Sequence, residues 1–294
     1  MSDLLTHWAV FDDCRQLAQH DDQIEPLFCN LIATKSDSVG LGVVTRSRNR
    51  LRWLPSIIAH ARDEWEHPAQ RPRLERHVAF ALGSLLRRAC DRAVKPLMKQ
   101  CAKTAKKADH PPPDPFRDVS AYYDSHIFRQ VYMNGADGAF NRFLFADNQT
   151  SSGQALEAFI RALFQRTLLA SHSIIPDDND IEGWIDRLLD TVQPLSIDVQ
   201  LFVDVFQRPE PAKMQQYGVE TLFYRADDPA IQIARALQHG DRVTTDQVRN
   251  ALADSANTSR YGQALGLGMA YLRDASTFWQ RKSATLLTPD EPSS

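Results

Sequence analysis

The sequence predicts an all-α fold, a single multi-helix bundle, and three observations carry that expectation. Residues 77–98 read HVAFALGSLLRRACDRAVKPLM, with Ala79, Leu82, Leu85, Leu86, Ala89, Ala93 and Leu97 at three- and four-residue steps. Apolar and small residues also cover most of the remaining surface over 78–86, and a helix apolar nearly all round belongs inside a protein. The same spacing recurs in most other segments, and no strand-like alternation or repeat of fixed period interrupts it.

Composition sets the frame. The 294 residues are 43% hydrophobic and 24% charged with a formal net charge of −3, the balance of an ordinary globular chain long enough for a substantial core. That near-neutral balance argues against a dedicated nucleic-acid binder, and no nucleic-acid partner is expected. MSDLLTHW carries an acid at position 3, so no secretory signal is expected. No run approaches the roughly 20 apolar residues of a transmembrane segment. Cys14, Cys29, Cys90 and Cys101 are scattered without C-x-x-C spacing, and read as reduced core thiols of a cytoplasmic protein.

Taken in order, residues 3–19 form a helix on Leu4, Trp8, Phe11, Cys14 and Ala18, and 23–33 a second, short one. Gly40 and Gly42 in G-L-G read as a tight turn between helices, followed by a basic cluster of Arg46, Arg48 and Arg50. A helix from Pro55 to about residue 66 carries His60 and Asp63, whose three-residue spacing is that of a ligand pair or a surface hydrogen bond. Residues 67–73 form a loop with two prolines before the central helix at 77–98. Beyond Pro96 that helix is expected to kink and run on through a lysine-rich stretch, by default a solvated face. These N-terminal helices occupy 1–109.

HPPPDP opens a proline-rich connector, 110–117, and the remaining helices of the same domain fill 118–283. The first of them has Asp118 as its expected N-cap and Gly135 as its end. Apolar stripes continue from 151 to 282, with capping signals at Thr244 or Thr245 and at Gly240. His172 and His239 fall near helix C-termini, where the dipole favours a cation. Gly262, Gly266 and Gly268 suggest close helix approach, and 284–294 form a flexible tail.

The polar residues on the oily central helix call for explanation. Arg87, Asp91 and Lys95 fall at i, i+4 and i+8 on one face, a structural ion-pair ladder or the remains of a site. Phe80, Ala81, Leu82, Gly83, Leu85, Asp91 and Pro96 together resemble the central helix of the zinc-dependent phospholipase C family, a resemblance that covers roughly residues 1–135 and implies the phospholipase C / P1 nuclease fold. There the helix carries His-x-x-x-Asp, often with a second His four residues on. A His and an Asp one turn apart grip one ion from one face. Here Asp91 matches, but Arg87 and Lys95 stand at the histidine positions, and arginine cannot ligate zinc. H-W-x-x-F-D-D, with His7, Asp12 and Asp13, resembles the N-terminal part of the family's metal cluster. Y-Y-D-S-H-I-F-R-x-V-Y resembles a further metal-binding segment, with Asp124 as its best match, His126 as an offset one, and Tyr123 where a His is expected. Asp124 and His126 diverge by about 160° on a regular helix. His77 precedes Asp91 by about 21 Å of helix at ~1.5 Å per residue, and cannot share its ion.

The resemblance implies a metal-dependent phosphoester hydrolase with a reduced zinc site. Its metal ligands come from His7, Asp12, Asp13, Asp91, Asp124 and His126, Asp91 and Asp124 are its catalytic carboxylates, and a phosphoester or phospholipid is its substrate. The residues themselves offer a second expectation. In it the protein is a non-catalytic helical scaffold, or an anion- or partner-binding protein, in which Arg87–Asp91–Lys95 replaces the metal site. An unrelated helical adaptor is a third.

Overall fold

The structure, a computed structural model, describes residues 4–45, 53–133, 179–283 and 286. Outside them lie the basic cluster Arg46, Arg48 and Arg50, the helix end at Gly135, the stripe from 151 with His172, and all but Leu286 of the tail. Among the described residues the fold is all-α, with no strand. In order come α1 (Leu4–Ala18), α2 (Pro26–Thr34), α3 (Ser36–Val44), α4 (Leu54–Asp63), α5 (Arg71–Ala105) and α6 (Pro115–Ile127). They are followed by α7 (Ile181–Gln207), α8 (Pro211–Gln216), α9 (Pro229–Gln238), α10 (Thr245–Ala253) and α11 (Arg260–Trp279). Among the described residues no single helix is long and apolar enough to cross a membrane.

The chain divides into two compact units, Met1–Trp8 with Pro96–Thr221, and Ala9–Lys95 with Leu222–Ser294. The second is built on the first part of α5. Every residue from Ala81 to Arg87 is buried, as a rod apolar all round requires. The helix starts six residues before the expected 77. Pro72 ends no helix here, because in the first turn its missing N–H would have no partner anyway.

The G-L-G stretch is not a turn but the body of α3. A Cβ at Gly42 would run into the Phe80 carbonyl and the Ser84 nitrogen, and one at Gly83 into the Val39 carbonyl, so the two helices meet backbone to backbone at paired glycines. At the other end of this unit Trp279 closes α11 with its ring 5.6 Å from Phe28 and 5.2 Å from Trp65, both edge-on. A Cβ at Gly268 would sit 2.7 Å from the Cys14 sulfur, which is the close approach expected of that glycine.

In the first unit α6 is the buried element, with all ten residues from Asp118 to Ile127 out of solvent, packed along α7. It begins earlier than the sequence suggests. Asp114, not Asp118, is the N-cap, its carboxylate accepting from the Phe116 and Arg117 amides at 3.1 Å each, with Pro115 at the first helical position. A single wider turn, Phe128–Tyr132, continues the helix, and Phe128 packs edge-on against Phe202 and Phe206 of α7 at 5.9 and 5.5 Å. The four cysteines are free thiols.

Candidate functional site

Asp91 lies on α5 between two cations. Lys95 Nζ is 2.6 Å from one carboxylate oxygen and Arg87 Nε is 3.6 Å from the other, the ladder that their spacing predicts. Arg87 is buried, and its Nη1 also donates to the Val43 carbonyl at 2.7 Å, which ties α5 to the end of α3. This carboxylate is therefore neutralised by two cations of its own helix.

The N-terminal acids divide by face. Asp12 is half-buried and pairs with Arg15 at 3.4 Å. Asp13, between the buried Ala9 and Leu17 on the same face of α1, is buried and ion-paired to Arg235 of α9, and it accepts from the Tyr261 hydroxyl at 2.7 Å. Burial pushes the Asp13 carboxyl above its usual value, against the opposing charge of Arg235 and the two hydrogen bonds. The Tyr261 phenol is held well above its ordinary range, by burial first and then by the charge of Asp13. Two further buried carboxylates of this unit follow the same rule: Asp228 pairs with Arg225 at 2.6 Å, and Asp21 with Arg273 at 2.7 Å.

In the other unit Asp124 has a different employment. It accepts from the Thr6 amide at 2.9 Å and from the Thr6 hydroxyl at 2.7 Å. Thr6 lies in the first turn of α1, whose leading N–H groups have no partner within the helix, so Asp124 caps α1 from a distance with the sign the helix dipole favours. His126 is buried, and its pKa falls to about 4 because burial, and secondarily the charge of Arg129, disfavours the imidazolium. His7 is buried near Thr6 in sequence, on the same first turns of α1. Tyr123, at the position where the resemblance expects a metal-binding His, donates its hydroxyl to the Tyr217 carbonyl at 2.9 Å.

Among the described residues no group of three or more His, Cys, Asp or Glu side chains is placed to hold a metal ion. Of the set His7, Asp12, Asp13, Asp91, Asp124 and His126, Asp13 and Asp91 face buried or half-buried cations, Asp12 pairs with Arg15, and Asp124 accepts from a helix end. His60 and Asp63 are no ligand pair in this sense either, since Asp63 is taken by Arg62 and Arg281.

A second feature has almost no signal in the sequence. A cleft of about 420 Å³ opens in the first unit between α6, the end of α7 and α8, lined by Asp118, Tyr122, Leu201, Asp204, Glu210 and Lys213 among others. Asp118 forms its floor and is buried. Its carboxylate accepts from the Tyr217 hydroxyl at 2.5 Å, and Lys213 Nζ is 3.5 Å from each of its oxygens. The same ammonium is 3.1 Å from Glu210 and 5.8 Å from the centre of the Tyr122 ring. Tyr217 is pushed far above the ordinary tyrosine value by burial and by its bond to Asp118. The only sequence signal for this site is the four-residue step from Asp118 to Tyr122 on α6. Nothing in the pattern links them to Glu210 and Lys213 some ninety residues later. Compared with known family models, curated proteins and solved structures, the chain finds no match.

Proposed function

We propose that this chain is a non-catalytic helical binding protein in which fixed cationic side chains do the work that metal ions do in the zinc-dependent phospholipases C it resembles. The observation that carries the reading is Asp91, held by Lys95 at 2.6 Å with Arg87 behind it. A carboxylate at the centre of a hydrolytic metal cluster needs its lone pairs directed at the metals. Here a lysine and an arginine on its own helix supply the neutralising charge, and Asp13 is likewise committed to Arg235. A buried ion pair keeps its carboxylate only if both charges stay in place, so the arrangement supports a structural role better than a catalytic one.

The test is hydrolysis of bis(p-nitrophenyl) phosphate and of a phosphatidylcholine analogue by the purified protein, with zinc and with EDTA. The expected result is no turnover above the blank in either condition. Turnover that EDTA abolishes, and that Asp91→Ala also abolishes, would overturn the reading.

A further inference from the structure

We propose that the cleft between α6, the end of α7 and α8 is a recognition site for a small aliphatic amine, and that in the free protein Lys213, which lines the cleft, holds the position beside Asp118 and Glu210 that the ligand's ammonium would take. A binding protein needs a ligand, so the assignment rests on the reading above and names the ligand's chemistry. The cleft has the volume of small-molecule sites and combines what a primary ammonium requires. It offers the buried carboxylate of Asp118, the exposed carboxylate of Glu210, an aromatic face from Tyr122 and an aliphatic wall from Leu201 and Val205.

Lys213 already demonstrates the fit from inside the molecule. Its ammonium lies between the two carboxylates and near the ring, yet at 3.5 Å it is farther from Asp118 than the 2.7–2.9 Å typical of a charge-assisted N–H···O bond. Its tether starts on the short helix α8, which sets how deep it can reach. A free alkylammonium has no such restraint and can approach Asp118 along the aliphatic wall. Lys213 then swings outward at small cost, because 27% of its side chain is exposed before it moves. The cleft's formal charges favour a cation as well: Asp118, Asp204 and Glu210 outnumber Arg208 and Lys213, and the imbalance grows once Lys213 leaves.

The test is titration calorimetry of the full chain with n-butylammonium chloride, comparing the native protein, Lys213→Ala and Lys213→Met. Removing the tethered competitor in Lys213→Ala should tighten binding about tenfold, since affinity is reduced by the fraction of molecules whose site is already filled. Lys213→Met removes the charge but leaves a side chain of similar reach in the slot, and should gain clearly less than Lys213→Ala. Adding Glu210→Gln, an exposed and structurally mild change, to Lys213→Ala should cost several-fold in affinity. Binding by Lys213→Ala no tighter than by the native chain, or equal gains from Ala and Met, would overturn the assignment. Either failure would leave the cation-for-metal reading standing, because the hydrolysis assay and the zinc content of the protein judge that independently of amine binding.

Discussion

At the scale of single residues, the buried charges decide the chemistry. Asp13 and Arg235 are the sharpest case, because both lie mostly out of water and each is the other's counter-ion. Asp13→Asn should lower unfolding free energy by about 3 kcal/mol in urea with an unchanged m-value, since it strands a guanidinium. Asp13→Leu combined with Arg235→Met should cost less than the two single changes summed. His126 makes a pH prediction whose sign follows from its depressed pKa. The unfolded imidazole binds a proton near 6.5 and the folded one only near 4, so the unfolded state holds more protons between those values. Stability should therefore be level above pH 6.5 and fall toward pH 4, by roughly 3 kcal/mol in all. His126→Gln should flatten that part of the curve, as equilibrium denaturation across pH would report. Asp13 stood out in the sequence only as one of a pair of acids, and its burial on the inner face of α1 was not read from the pattern. What the sequence cannot show is that the partner is Arg235, 222 residues away.

At the scale of elements, local rules set the boundaries and close approach sets the packing. Gly83→Ala would drive a methyl into the Val39 carbonyl on α3, and should cost roughly 2–3 kcal/mol because backbone has to move. Gly240→Ala meets nothing within 4 Å and should cost only about 1 kcal/mol, the penalty of its left-handed φ of 84°. Gly240 ends α9 with two bonds, its own N–H to Leu237 and that of Asp241 to Ala236, as expected of a glycine just past a helix end. Thr244 starts α10 with a reciprocal bond to Gln247, and Thr244→Ala should lose about 1 kcal/mol by thermal denaturation. Such caps are readable because the two residues involved lie three apart. The G-L-G segment was not readable, since glycines that mark a turn by composition serve equally well where a second backbone presses close. Asp118 misled for a related reason. Asp114 with Pro115 is the stronger N-terminal signal, and it left Asp118 free to become the floor of the cleft.

At the scale of the molecule, the all-α class was legible because the apolar period of α5 and its neighbours is a property of the chain alone. The site was legible only at Asp91, whose partners lie one turn away on its own helix; Asp13, Asp118 and Asp124 meet partners far along the chain, which no local pattern shows. The motif on α5 pointed to zinc through Asp91, while Arg87 and Lys95 on the same face pointed away from it, and both cations lie within 3.6 Å of its carboxylate. The central claim is that these cations hold the carboxylates in place of a metal. Its most direct test is elemental analysis of the protein purified from zinc-supplemented cells, alongside its melting temperature with and without EDTA. The account predicts well under one zinc per chain and a melting temperature that EDTA leaves unchanged. One tightly held zinc per chain, lost together with stability on Asp91→Ala, would contradict it.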